Sequence, residues 1–312
     1  MLKGDRRALA RLFTILEQDS RRLPSIMKAV HPHTGRAYCV GVTGPPGAGK
    51  STIVDSLVEI VRSQGLSAGV LAFDPTSPFS GGAVLGDRIR MQRHYLDRGV
   101  FIRSLATRGV HGGLSRVAGA SVKLLDAFGT DIIIVETVGV GQTELDVTKV
   151  ADTVVVVLVP EAGDAVQAMK AGLMEIGDIF AVNKADRDGA GLLAAAVRTT
   201  LDLGDGQRWW RPPVLLTRAH TGEGIQALYD QILAHRDAME KTSNLRLRRG
   251  ERQKEEFAQT LRQALEARMS GLISRDGPLS RIAARVESGE LDPYSAAAQV
   301  LDDGLLYSPQ SD

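Results

Sequence analysis

The stretch "GVTGPPGAGKST", residues 41–52, decides the fold, because Gly44, Gly49, Lys50 and Ser51 fit G-x-x-x-x-G-K-S/T without a gap. An apolar run precedes it and helical spacing follows it, which is the strand and helix context that the motif requires. The loop Gly44, Pro45, Pro46, Gly47, Ala48, Gly49 can curl so that successive N–H groups and the helix start at Lys50, Ser51 and Thr52 face a phosphate chain. Lys50 would reach the terminal phosphates and Ser51 would bind Mg2+. The loop by itself implies a nucleoside triphosphate and leaves the base open.

Outward from the loop, short runs rich in Val and Ile alternate with helical stretches from residue 38 to about 240. Strands are predicted at 38–43, 68–73, 131–136, 153–159, 178–183 and 213–217, with a weaker one at 100–103. This is the pattern of an α/β fold, a doubly wound and mostly parallel sheet covered by helices on both faces. Residues 1–37 place Leu9, Leu12, Phe13 and Leu16 at helical spacing and read as an N-terminal helical extension. Residues 241–312 read as a C-terminal helical arm. It opens with the basic stretch "KTSNLRLRRG", taken as a solvated linker, and continues with Phe257, Leu261, Leu265 and Met269 four apart on one face. Asp292 and Pro293 then open a further helix as N-cap and first helical residue. The stripe suits either packing on the chain's own domain or pairing with a second copy.

Composition narrows the function classes. The 312 residues carry 38 basic and 37 acidic side chains, so no overall field draws the chain to nucleic acid or a membrane surface. A single cysteine, Cys39, excludes an internal disulfide framework and a Cys-rich metal site, and favours a reducing, cytoplasmic location. Residues 1–23 lack the continuous apolar core of a signal peptide, and the longest apolar run, Val154 to Val159, is too short to span a bilayer. His31 and His33 read as a polar turn, Cys39 as core, and Trp209 and Trp210 as packing or a partner contact.

"AVNKAD", residues 181–186, places Asn183, Lys184 and Asp186 as N-K-x-D at a strand end. An aspartate there can accept from the N1 and exocyclic amine of guanine, a donor pair that adenine lacks, and the wrong base would leave it unpaired. "TRAHTGEG", residues 217–224, follows the last strand with Arg218, Ala219 and His220 where a loop could contact the base oxygen. The strand "DIIIVE" carries Glu136 to the phosphate end of the sheet as a Walker B acid. Three residues on, Gly139 can bring its N–H against a γ-phosphate with no side chain in the way. Asp74 ends another strand, and Asp87 follows a Pro, Ser and Gly-rich segment; with Ser51 and Glu136 they could converge on Mg2+, which prefers carboxylates and waters. Asp74 could otherwise form a turn with Pro75, and Asp87 could cap the helix expected through Arg88 to His94.

Together, "GPPGAGKST", "FDPTSPFSGGAVLGDR", "FIRSLATRGVHGGL", "ETVGVGQTE" and "EAGDAVQAMKAGLMEIGDIFAVNKAD" resemble the MeaB/ArgK family of GTPases, relatives of the nickel-inserting maturation GTPases. The resemblance is dense over about residues 40–240 and looser at the helical ends. It implies GTP as substrate, Mg2+ as cofactor and a homodimer. It also implies a partner, the adenosylcobalamin-dependent methylmalonyl-CoA mutase or a close relative, whose cofactor loading the family gates and which it protects. By position it assigns Lys50 and Ser51 to phosphates and metal, Asp74, Asp87 and Glu136 to Mg2+ and the hydrolytic water, and Asn183, Lys184 and Asp186 to guanine. Glu161 to Lys170 resembles a further switch, with Gln167 and Lys170 as its mutase contacts. The chain departs from the family pattern at Glu161, where glycine is usual, and at Arg218, where serine is usual.

Three rival functions would leave different marks in the sequence. A P-loop kinase would show an acceptor-binding lid, a nickel-delivery GTPase would show His or Cys clusters near the P-loop or N-terminus, and a GTP-sensing scaffold would differ only in having no use for hydrolysis. Arg88, Arg90, Arg103 and Arg108 are the candidates for neutralising transition-state charge.

Overall fold

The computed structural model describes residues 1–18, 20–75, 91–107, 113–137, 146–160, 172–203, 209–273 and 277–303, with side chains at 20, 74–75, 106–107 and 113–116 excepted. Seven strands form one sheet: β1 (Tyr38–Thr43), β2 (Ala68–Pro75), β3 (Val100–Thr107), β4 (Ile132–Thr137), β5 (Thr153–Leu158), β6 (Ile179–Val182) and β7 (Val214–Leu216). Their order is β3-β2-β4-β1-β5-β6-β7 and every pair is parallel. β1 therefore lies at the centre, with β4 on one side and β5 on the other.

Burial on both faces explains the near-continuous apolar runs of the central strands. Cys39, Ile133, Val135, Val154, Val156 and Phe180 join one core layer, whereas Val40, Val42, Ile132, Ile134, Val155 and Val157 join the other. Each fully buried side chain of this kind contributes about 1.5–3 kcal/mol relative to exposure. Among the described residues, the α-helices of this part are α1 (Arg6–Gln18), α2 (Leu23–Val30), α3 (Lys50–Ser63), α4 (Gly113–Phe128), α5 (Leu173–Ile176), α6 (Ala190–Leu203) and α7 (Ile225–Lys241).

The N-terminal stripe is part of this core. Leu9 and Phe13 are fully buried, Phe13 stacks on Phe101 with centroids 5.4 Å apart, and α1 and α2 pack on α4. Asp126 of α4 then holds the chain entering β1, accepting the N–H groups of Gly35, Arg36 and Ala37.

The chain divides into two compact units, Met1–Arg249 and Gly250–Asp312. Helix α8 (Asn244–Ile273) begins in the first, so the basic stretch expected to be a solvated linker is the end of α7 and the start of α8. Two of its arginines are engaged. Arg249 binds both carboxylate oxygens of Asp152, at 3.0 and 2.6 Å, and donates to the carbonyls of Gly35 and Ala37. Arg248 bonds Asp178 at 3.0 Å. The carboxylates that recruit them lie about 70 to 100 positions away in sequence, and no local pattern announces them.

In the second unit, α9 (Pro278–Glu287) and α10 (Pro293–Asp302) pack together and bury Leu279 and Ala296. Asp292 caps α10 by accepting the N–H groups of Tyr294 and Ser295. The α8 stripe of Phe257, Leu261, Leu265 and Met269 is exposed, Phe257 at 68%. Among the described residues no helix is long and apolar enough to cross a membrane.

Candidate nucleotide site

The P-loop occupies the end of β1 and hands over to α3 at Gly49. Gly44 has φ 138°, and a Cβ there would lie 2.1 Å from the Val157 carbonyl oxygen of β5. Gly49 has φ 89°, and a Cβ there would lie 2.4 Å from Asn183 Nδ2. Both positions thus exclude a side chain on two counts, conformation and space. The fourteen-residue α3 turns its N-terminus, where the helix dipole leaves a partial positive charge, to the space over the loop. Lys50 and Ser51, its first two residues, are buried. The Lys50 ammonium donates to the carbonyls of Gly44 at 2.8 Å and Pro45 at 2.9 Å, so it arches back over the loop.

Glu136 reaches the same place from β4, opposite Val42 of β1 and Ala72 of β2. It is 4% exposed, and its Oε1 accepts from Ser51 Oγ at 2.6 Å. Beside this pair Thr137 donates to Thr43 Oγ1 at 2.9 Å, tying the ends of β4 and β1 together beneath the loop. On β2, Phe73 pairs in register with Thr137, which puts the backbone of Asp74 at the same end of the sheet as Glu136. The predicted oxygen donors Ser51 and Glu136 meet. Asp87, Gly139, the segment 161–170 with Gln167 and Lys170, and Arg88, Arg90 and Arg108 lie outside the described residues. Arg103 is committed to an ion pair with Glu17 of α1.

The N-K-x-D segment leaves β6 next to the loop after β7. Asn183 is 3% exposed and Lys184 has φ 56°, an uncommon conformation for a side chain larger than glycine. Ala185 N–H donates to Thr217 O at 3.0 Å, joining the two loops. Asn183 does more than the motif suggests. Its Nδ2 donates to Ala48 O at 2.8 Å, and its Oδ1 accepts from Ala219 N–H at 3.1 Å and Thr217 Oγ1 at 3.3 Å. One amide thereby joins the P-loop to both base-side loops. Asp186 and His220 are exposed beside it. Sequence reading assigned Asn183 to the base alone; the geometry adds the joint.

At the opposite end of the sheet a buried polar chain runs from Tyr38 through Thr153 to His235, with contacts of 2.5 and 2.8 Å. His235 is fully buried beside Asp178 and the rings of Trp209 and Trp210. Burial is the main cause that lowers its pKa, and Arg248 adds to this, while Asp178 and Asp152 oppose it. Burial likewise pushes the Tyr38 hydroxyl up. Nothing in the local sequence marked this chain.

The family model for "Methylmalonyl Co-A mutase-associated GTPase MeaB" matches residues 9–273. A protein of Pyrococcus abyssi named as a GTPase is 51% identical over 305 residues, covering 96% of this chain and 94% of its own. One of Mycobacterium bovis, also named as a GTPase, is 37% identical over 310 residues, with 96% and 91% covered. Among solved structures, the "LAO/AO transport system kinase" superposes with a TM-score of 0.71 at 26% identity, over 96% of this chain and 94% of that one. With its parallel sheet, its P-loop and the N-K-x-D loop joined through Asn183, this chain is a P-loop GTPase belonging to the methylmalonyl-CoA mutase-associated GTPase MeaB family.

Proposed function

We propose that the chain binds GTP and Mg2+ at this site and hydrolyses GTP as a chaperone of an adenosylcobalamin-dependent acyl-CoA mutase, gating loading of the cobalamin cofactor. The carrying observation is the frame made by Asn183, which sets a phosphate-binding loop and a base-reading loop at fixed distance, as a nucleotide spanning both requires. Family membership supports the mutase as partner.

In this reading Lys50 exchanges its carbonyl partners for the β- and γ-phosphates. Gly139 offers its N–H to the γ-phosphate, and Asp186 accepts from the base, with Ala219 and His220 beside it. Ser51 and Glu136, an all-oxygen donor pair already in contact, suit Mg2+ and would hold it with Asp74 and Asp87. When bound, the ion neutralises phosphate charge in the transition state. Glu136 also orients Ser51, and the low exposure of both keeps bulk water from competing for those oxygens. Residues 38–240 act as the GTPase domain, 1–37 as a helical extension and 241–312 as a dimerisation arm, in a cytoplasmic homodimer. The segment 161–170 conveys nucleotide state to the mutase through Gln167 and Lys170.

The test is GTP turnover with and without an adenosylcobalamin-dependent mutase. Stimulation is expected, together with a reciprocal tightening of GTP by about 1–3 kcal/mol. A mutase that alters neither turnover nor affinity would remove the chaperone role.

A further inference from the structure

β1 and β4 lie side by side, yet their backbone pairing stops one residue before either strand ends. The last pair is Val42 with Glu136. At the next level Thr43 of β1 pairs with Val156 of β5 and Thr137 of β4 pairs with Phe73 of β2, so each strand follows its outer neighbour. Ligands of open parallel sheets bind in a crevice at this end of the strands. The P-loop continues from Thr43, and Glu136 is the last residue of β4 still paired with β1. Where that pairing stops, a side-chain bond takes over: Thr137 Oγ1 donates to Thr43 Oγ1 at 2.9 Å, with Thr43 fully buried and Thr137 3% exposed.

Stability is a poor account of this pair. β1 reads YCVGVT and β4 reads IIIVET, and valine, which has the shape of threonine and needs no hydrogen bond, suits both final positions. Replacing both members of a buried hydrogen bond by apolar groups of the same shape is nearly neutral for folding. What valine lacks is a directional bond between the strand ends. A second link across the same place is the 2.6 Å bond from Ser51 Oγ to Glu136 Oε1. Those residues are the ones that the proposed function assigns to Mg2+, and an ion bound by both oxygens would compete with their direct bond. The hydroxyl pair uses neither oxygen, so metal binding leaves it in place.

We infer that Thr43 and Thr137 are positioning residues for GTP hydrolysis: their hydroxyl bond holds the strand end that carries Glu136 against the strand that feeds the P-loop, and so keeps the Glu136 carboxylate beside Ser51 while the two serve the metal. This rests on the reading of Glu136 as the metal-side acid and names what aims it. Both threonines act through Glu136 and touch no phosphate themselves.

The experiment compares the full-length native chain with Thr137→Val, Thr137→Ser and the double variant Thr43→Val with Thr137→Val. Each is read by thermal melting, by GDP affinity in EDTA, by calorimetric titration of Mg2+ into the complex with a non-hydrolysable GTP analogue, and by kcat at saturating GTP and Mg2+. The double variant is expected to melt near the native temperature and to bind metal-free GDP as the native chain does. Its Mg2+ affinity and its kcat should each fall about tenfold. Thr137→Ser, which keeps the hydroxyl, should stay near native in both. If the double variant does not fold, Thr137→Val carries the same comparison. Native Mg2+ affinity and kcat in the folded valine variants would overturn the inference. So would a loss of metal-free GDP affinity as large as the loss of kcat, which means a general structural role, or a Thr137→Ser variant as impaired as Thr137→Val. Native kcat in Glu136→Ala would instead overturn the reading of Glu136 beneath it.

Discussion

Asn183 Nδ2 donates to the carbonyl oxygen of Ala48 over 2.8 Å, joining the end of β6 to the P-loop across 135 positions of sequence. The amide is buried, so its removal leaves the Ala48 carbonyl and the Ala219 N–H without their partner. Asn183→Ala is expected to cost about 1–3 kcal/mol of stability. GTP affinity should fall by about tenfold or more, because both ends of the nucleotide site lose a common anchor. Thermal melting and nucleotide titration measure the two; a variant with native affinity would show that the joint has no part in binding.

Lys50→Ala and Glu136→Ala should separate binding from turnover. In the proposed function Lys50, the cation at the loop, would hold phosphates in the ground state, whereas Glu136, which meets Ser51, would organise metal and water. The first is expected to abolish tight GTP binding and the second mainly to lower kcat. Single-turnover assays distinguish them, and native kcat in Glu136→Ala would contradict the assigned role.

Asp186→Asn should convert base preference. The amide replaces an acceptor with a donor, so guanine loses its partner and xanthosine triphosphate gains one. Competition between GTP and xanthosine triphosphate reads the exchange directly.

Acid stability should depend on His235. Its folded pKa lies below the ordinary value of 6.5 because burial disfavours the cation. The unfolded chain therefore binds the extra proton first, so this group's contribution is present above about pH 6.5 and is lost as pH falls below it. Facing groups are Asp178, Asp152, Arg248, Thr153 and Tyr38, with Trp209 and Trp210 against the ring. Melting temperature across pH 7 to 5 should decline less steeply in His235→Gln than in the native chain, roughly in proportion to the proton uptake removed. Parallel slopes would refute the assignment.

Deletion from Gly250 onward spares the Arg248 and Arg249 ion pairs and removes the exposed stripe of Phe257, Leu261, Leu265 and Met269. The expected product is a monomer with GTP affinity unchanged. Sedimentation of the intact chain as a monomer at micromolar concentration would end the dimer proposal.

Much of this architecture is local and therefore legible in the chain itself. The glycines of the P-loop, the strand that delivers Glu136, the N-K-x-D string and the Asp292 cap each depend on residues within a few positions of one another. The apolar runs of β1, β4, β5 and β6 announce strands buried on both faces for the same reason. The basic stretch 241–250 departs from its expected role because its partners are remote: charge alone says solvated, and only the assembled sheet brings Asp152 and Asp178 under Arg249 and Arg248. His235 looked like one of six scattered histidines until Thr153, Asp178 and the tryptophans enclosed it. The amino-acid sequence by itself determined the strands, the loops and the chemistry that each loop carries, because those follow from backbone freedom, side-chain period and charge over short spans. The order β3-β2-β4-β1-β5-β6-β7, the meeting of Asn183 with Ala48 and of Ser51 with Glu136, and the burial of His235 were decided only in the tertiary structure. Such contacts arise when strands far apart in sequence become neighbours, and the free energy of burying both sheet faces at once, rather than any local preference, selects which ones meet.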